Sequence, residues 1–293
     1  MKIFTISLGL AICCWISLAT AQEETIIIPM IYEENAMANV ITVSQSGGEF
    51  TDIQSAIDSI EPGSATFQSP YVIMIGPGKY NVTQTIVVPD FIHIRGSGRQ
   101  LTFLSGNIIN ASLGGPLGVI SGGNNSIQDL AVTNSPDAQS GDNVIAIHNF
   151  RQINNVGAFA QHETVDATTG DFYAIYSNDV DGTTVNNSRV LSWYGNIVQG
   201  IHSTNKLVAK NLDVSALDGV DSVGIAGPEP ATFNKMEIFD SIIWGDTWSL
   251  VVNNALSRVV NVGVSGNIDD QAGSDQNCLN VYDSDSLSIV PAC

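Results

Sequence analysis

Basic residues are scarce in this 293-residue chain: 10 Lys and Arg stand against 29 Asp and Glu. A body this acidic repels nucleic acid and anionic membrane surfaces, so neither is expected as a partner. It would equally repel an acidic polysaccharide unless a divalent cation bridged the two. Solubility alone is a sufficient explanation of the charge. Cysteine is sparse as well, and two of the four, Cys13 and Cys14, lie in the apolar N-terminal stretch. Cys278 and Cys293 remain, too few thiols for a metal site and the right number for one disulfide pinning the C-terminus. A bridge closing so short a loop is worth about 3 kcal/mol. Beyond the first 21 residues no uninterrupted apolar run approaches membrane length, so no membrane span is expected. Helical periodicity is almost absent, which excludes helical bundles.

The N-terminus reads as a cleavable export signal. Lys2 supplies the positive end, residues 3–18 an apolar core, and Ala19-Thr20-Ala21 a small-residue cleavage site before Gln22. The expected location is secreted, extracellular or periplasmic. Removing residues 1–21 leaves nine basic against 29 acidic residues, a net charge of −20. Residues 22–39 form a lead-in and residues 40–293 a single elongated domain.

What the chain does have is a recurring phrase. It reads Ala146-Ile147-His148-Asn149, Ala174-Ile175-Tyr176-Ser177, Gly200-Ile201-His202-Ser203 and Gly224-Ile225-Ala226-Gly227, with weaker copies at Val251-Val252-Asn253-Asn254 and Asn280-Val281-Tyr282-Asp283. The central apolar residues recur at spacings of 28, 26, 24, 27 and 29. Each copy leads to a second strand with a polar turn, as at Asn155, Asn187, Asn211, Asp240 and Asn261. A fixed period of this size marks one supersecondary unit stacked on itself. Strand-length apolar pieces make that unit a coil of β-helix, so the chain is expected to be all-β, a right-handed single-stranded parallel β-helix. The turn asparagines are expected to form a hydrogen-bonded ladder.

Residues 50–60 carry apolar side chains at helical spacing and predict a short amphipathic helix capping the N-terminal end of the solenoid. Continuous apolar strands follow at Tyr71-Val72-Ile73-Met74-Ile75, Ile86-Val87-Val88 and Ile92-His93-Ile94. Polar stretches at 135–142, 163–170 and 267–277 read as loops projecting from the coils.

The segment from Ile41 to Gly98 resembles the opening of pectin methylesterases. The match is carried by Thr42-Val43, Gly47-Gly48, Phe50, Ile53-Gln54, Ala56-Ile57, Gly76, Gly78-Lys79-Tyr80 and Ile94-Arg95-Gly96-Ser97-Gly98. The resemblance implies a right-handed parallel β-helix with a helical cap. Such an esterase needs a carboxylate nucleophile, a carboxylic acid, amides for the oxyanion and an arginine that fixes the nucleophile. Carried over, the family's glutamine strand falls on Asn143-Val144-Ile145-Ala146-Ile147, and its Gln-Asp pair on Gln161-His162. The nucleophile's place falls on Tyr173, with Asp171 two residues away, and the arginine element has no counterpart. The resemblance therefore implies a pectinesterase-like scaffold lacking the esterase residues, with Gln161, His162, Asp171 and Tyr173 the candidates for any surviving chemistry.

His148, Tyr176 and His202 occupy one column of the repeat, and alternation should turn that column away from the core. At about 4.8 Å per coil the two histidines stand about 10 Å apart, too far to share a metal ion. They could instead offer a stripe to a sugar chain, or be an ordinary exposed column. Trp193 and Trp244, with Trp248, could form a sugar-stacking platform or pack beneath loops. The carboxylates at Asp179-Val180-Asp181, Asp218 with Asp221, and Asp269-Asp270 with Asp275 could hold calcium only if the chain were a pectate lyase. Otherwise no metal and no cofactor is expected.

Three functions remain open. One is a non-catalytic extracellular protein that binds polysaccharide; another is a diverged esterase or calcium-dependent lyase; the third is an adhesin or structural surface subunit. A disulfide cap over the last coil would oppose self-association, so a monomer is expected.

Overall fold

A computed structural model describes residues 39–139, 141–162, 170–227, 235–252, 257–270 and 277–283. The export signal, all of the lead-in except Asn39, Cys293 and the side chain of Cys278 lie outside the described residues.

Among the described residues every strand pairing between successive coils is parallel, and 18 strands stack as a parallel β-helix. Register sorts each coil into three sheets. The first carries Ile127, Ile153, Val185, Ala209, Ile238 and Val259 in one inward column. The second carries Val132, Ala158, Val190, Val214 and Ile243. The third carries Ile120, Ile147, Ile175, Ile201, Ile225, Leu250 and Ile268. These columns form one continuous core, because a coil closed on three sides turns one face of every strand inward.

The corner between the first and second sheets is built by the turn asparagines. Asp129, Asn155, Asn187, Asn211, Asp240 and Asn261 all have φ between 48° and 58°. Asn and Asp tolerate this left-handed conformation better than other non-glycine residues. Their side chains also bond along the axis. Asn155 Nδ2 donates to Asp129 Oδ1 at 2.8 Å, Asn211 Nδ2 to Asn187 Oδ1 at 2.9 Å, and Asn261 Nδ2 to Asp240 Oδ1 at 3.0 Å. Asn187 Nδ2 reaches Asn154 rather than Asn155. We expect Asn187→Ala to lose roughly 2 kcal/mol, one ladder bond plus left-handed strain, and Asn187→Gly only about half of that. Urea midpoints of the two variants check this.

The helix is Ile53–Asp58, with Asp52 as N-cap accepting from Ser55 N at 2.7 Å. Ile53, Ala56 and Ile57 bury its apolar face in the core beside the first strands.

Three local expectations change. The fifth anchor of the repeat is Leu250, two residues before Val252, because the register shifts around Trp248. Val281 pairs with Val262 in the second sheet, so Asn280–Asp283 is not a copy of the phrase. Residues 267–270 are not loop but the end of the strand Arg258–Asp270: backbone pairing with the preceding coil outweighs their polar side chains.

Candidate functional site

The strand Asp171–Ser177 breaks the in–out alternation. Phe172, Ala174 and Ile175 face the core, while Tyr173 and Tyr176 face outward. Two inward residues in succession give a spacing of three between outward positions. The same slip recurs on the neighbouring coils, where pairing skips Ala146, Ala174, Gly200 and Gly224. Only a small residue fits there. A Cβ on Gly200 would stand 2.6 Å from the carbonyl oxygen of Gly224 and 2.5 Å from Cγ1 of Val214. The slip creates two adjacent outward columns: Ile145, Tyr173, Gln199 and Val223, and beside it His148, Tyr176, His202 and Ala226.

These columns bring together most of the candidate side chains. The His148 and Tyr176 rings stack with centroids 5.9 Å apart, and Tyr176 and His202 stack at 5.0 Å, only 4° from parallel. Tyr173 meets Tyr176 and His202 edge-on at 5.3 and 5.7 Å. The column points away from the main core as alternation requires, yet it is not an exposed stripe. His148 is 3% exposed and Tyr176 6%.

Residues 107–118, a segment the sequence left unassigned, pack on the Ile145–Tyr173–Tyr176 side of these columns. Asn110 and Asn143 exchange backbone hydrogen bonds at 2.9 Å, and Asn143 Nδ2 also donates to the Asn110 carbonyl. Asn134 Nδ2 ties the carbonyls of Ile108 and Ile145, both at 2.8 Å. Gly118 (φ +72°) passes so close to Ile145 that a Cβ would lie 2.6 Å from its carbonyl oxygen. The segment thereby sets Leu117 against Ile145, Tyr173 and Tyr176. A single leucine inside Gly114-Gly115-Pro116-Leu117-Gly118 was the available signal.

Burial controls the electrostatics here. It pushes His148 and His202 down to about 4, and it raises the Tyr173 and Tyr176 hydroxyls. The Asn178 amide is near enough to favour protonated His148 slightly, yet Nε2 of that ring completes no hydrogen bond among the described residues. Nδ1 of His148 lies 2.8 Å from Ser121 Oγ, and Nδ1 of His202 lies 2.7 Å from Gln199 Oε1. Ser121 with His148 has the composition of a nucleophile and its base. A ring titrating near 4 is a feeble base at neutral pH, and both groups are buried.

The remaining esterase candidates sit at the corner between the second and third sheets. Asp171 pairs in register with Asn143, and its Oδ1 accepts from Asn196 Nδ2 and Ile197 N, both at 3.3 Å. Gln161 pairs with Trp193 one coil on. His162 is buried with Nε2 3.2 Å from Asp137 Oδ1 and its ring edge-on to Phe172 at 6.2 Å. No Lys or Arg lies in any described strand of the third sheet. Arg95, Arg151 and Arg189 pair with Asp129, Asp181 and Asp213.

The two tryptophans stand on the next sheet. Trp193 and Trp244 point outward from the second sheet on coils two apart. Trp193 Nε1 donates to Asp218 Oδ2 at 2.5 Å, and its ring stacks on Tyr194. Trp244 is 46% exposed. Among the described residues, no three His, Cys, Asp or Glu gather as metal ligands. Asp179 and Asp181 serve a turn and the ion pair with Arg151.

Comparison with solved structures places this geometry. The pectin methylesterase of carrot superposes with a TM-score of 0.59 at 14% identity, over 87% of this chain and 86% of that one. That of Erwinia chrysanthemi gives 0.57 at 15% identity, over 85% and 90%. The Aspergillus niger enzyme gives 0.54 at 14%, over 87% and 89%. The chain has the pectin methylesterase fold. No protein-family model and no curated protein sequence matches it. At identities this low the likeness is one of fold, so what the pectin methylesterase fold does in this chain has to be argued from its own side chains. No helix among the described residues is long and apolar enough to cross a membrane.

Proposed function

We propose that this chain is a secreted, right-handed pectinesterase-like β-helix that binds an extracellular polysaccharide and has no esterase activity. The observation that carries the reading is the filling of the third-sheet face. Tyr173 stands where the resemblance puts the nucleophile, its ring packed against Tyr176 and His202 beneath Leu117. Ester hydrolysis by the family's chemistry calls for two carboxylates open to substrate and an arginine beside the nucleophile. Asp171 is the one carboxylate in the Tyr173 strand, and it is engaged by Asn196 and Ile197. A lyase would need a calcium site beside a base, and the described carboxylates do not cluster in that way. Trp244, exposed on the outward face of the second sheet with Trp193 partly exposed two coils away, supports a binding role instead.

The test is a turnover assay of the mature chain on methyl-esterified pectin and on polygalacturonate, with and without calcium. We expect neither methanol nor unsaturated product, while the same protein is retarded in gels containing a polysaccharide. Methanol release at a rate proportional to protein would overturn the non-catalytic reading, and unsaturated product appearing only with calcium would establish a lyase.

A further inference from the structure

We infer that the outward face of the second sheet binds a neutral, hydroxyl-rich polysaccharide lying along the coil axis, and that it rejects polyuronates. This rests on the glycan-binding reading and supplies its surface and ligand class.

The register defines the surface. One outward column runs through Asn81, Ser105, Thr133, Phe159, Leu191, Ser215 and Trp244 on seven successive coils, and none of these residues is charged. At about 4.8 Å per coil the column is roughly 29 Å long. Its later half carries Phe159, Leu191 and Trp244 with Ser215 between the last two, and Trp193 and Ile242 stand in the adjoining columns. Ile242 and Trp244 are about half exposed. Large exposed apolar side chains grouped on one face of a soluble protein mark a binding surface. A flat sheet cannot enclose a small ligand, but it matches the extended, flat form of a polysaccharide whose ring faces present C–H groups to aromatic rings.

The bordering groups decide the class of ligand. Asp218 lies beside Trp193, accepting from its Nε1, and the Asp218 amide donates to Asp246 Oδ2 of the next coil at 2.7 Å. Of the cations on this face, Arg189 sits 3.5 Å from Asp213, and Lys79 stands beside Asn81 at the first coil of the column, four coils from Trp193. Carboxylates only accept hydrogen bonds, so the ligand must bring donors, as sugar hydroxyls do. A polyuronate would bring acceptors and like charge to a chain already at net −19. The charge of the border therefore selects neutral chains, including fully methyl-esterified homogalacturonan, over polygalacturonate.

The experiment is affinity electrophoresis of the mature full chain against four probes: soluble β-glucan, galactan, fully methyl-esterified homogalacturonan and polygalacturonate. We expect retardation by at least one neutral probe, little change between low and high salt, and none by polygalacturonate. Trp244→Ala and Trp193→Ala should each weaken retention about tenfold or more, whereas Val180→Ser, on an exposed turn away from this face, should leave it unchanged. Circular dichroism of each variant confirms that it folds. Polygalacturonate binding, or neutral binding that survives both tryptophan substitutions, overturns this inference and leaves the glycan-binding reading standing. Retardation by no probe overturns the glycan-binding reading itself. Self-association abolished by Trp244→Ala in sedimentation, without any glycan bound, would assign the face to a second copy of the chain and also overturn the inference.

Discussion

Acidification from pH 7 to pH 4 is expected to cost the folded chain several kcal/mol, with His148 and His202 carrying the loss. Both rings titrate near 4 in the fold because burial disfavours their charged form, whereas an unfolded histidine titrates near 6.5. Above pH 6.5 both states hold neutral rings and stability does not depend on them. Between 6.5 and 4 the unfolded chain takes up protons that the folded chain refuses, so stability falls as pH falls. Below 4 the dependence flattens. The gap corresponds to about 3 kcal/mol per ring at most, and the two rings share Tyr176, so their losses need not add. The groups facing the stack do not oppose this. Tyr173 and Tyr176 are shifted upward, out of the window, and Ser121 and Gln199 are neutral. Urea unfolding at pH 7, 5.5 and 4 measures the slope. Replacing both histidines by phenylalanine should remove most of the change between pH 6.5 and 4, whatever its cost at pH 7. An unaltered slope in that variant would move the effect to the carboxylates.

Phe172→Ala is expected to destabilise the chain by about 3–5 kcal/mol, the range for emptying a fully buried aromatic site. Phe172 is wholly buried on the core side of the strand whose other face carries Tyr173 and Tyr176. Neighbouring residues cannot easily close the gap. His162 meets the ring edge-on, and Gly195 lies so close that a Cβ there would sit 2.5 Å from Cδ2 of Phe172. Phe172→Leu, which keeps most of the volume, should cost less than half as much. Guanidinium midpoints at constant slope would separate the two, and equal losses would show that the site collapses around either side chain.

The architecture was largely legible from the residues. Ile147, Ile175, Ile201 and Ile225 stack in register as their recurrence required, and the turn residues from Asn155 to Asn261 occupy one corner in left-handed conformation. Legibility failed where coil length changes. Between Ala216 and Val223, and again around Trp248, the register shifts, and counting forward from Ile225 lands two residues beyond the true anchor Leu250. The site was legible in membership but not in environment. His148, Tyr176 and His202 form one column as expected, but nothing in their own strands indicates that Leu117, some 30 residues earlier than His148, packs on their neighbours.

The sequence by itself determined the coil: apolar residues recurring every 24 to 28 positions from Ile147 to Ile225 must line one interior, and asparagine or aspartate at one corner of each coil satisfies a backbone that few residues accept. The tertiary structure alone decided which outward residues meet water. It set Leu117 against Tyr173 and Tyr176, brought Tyr173 alongside the stack through the slip at Ala174 and Gly200, and aligned seven uncharged residues from Asn81 to Trp244 into one strip. The physical reason is that alternation along a strand encodes only in or out. Neighbours on adjacent coils and covering segments are set by intervening lengths that no local pattern records.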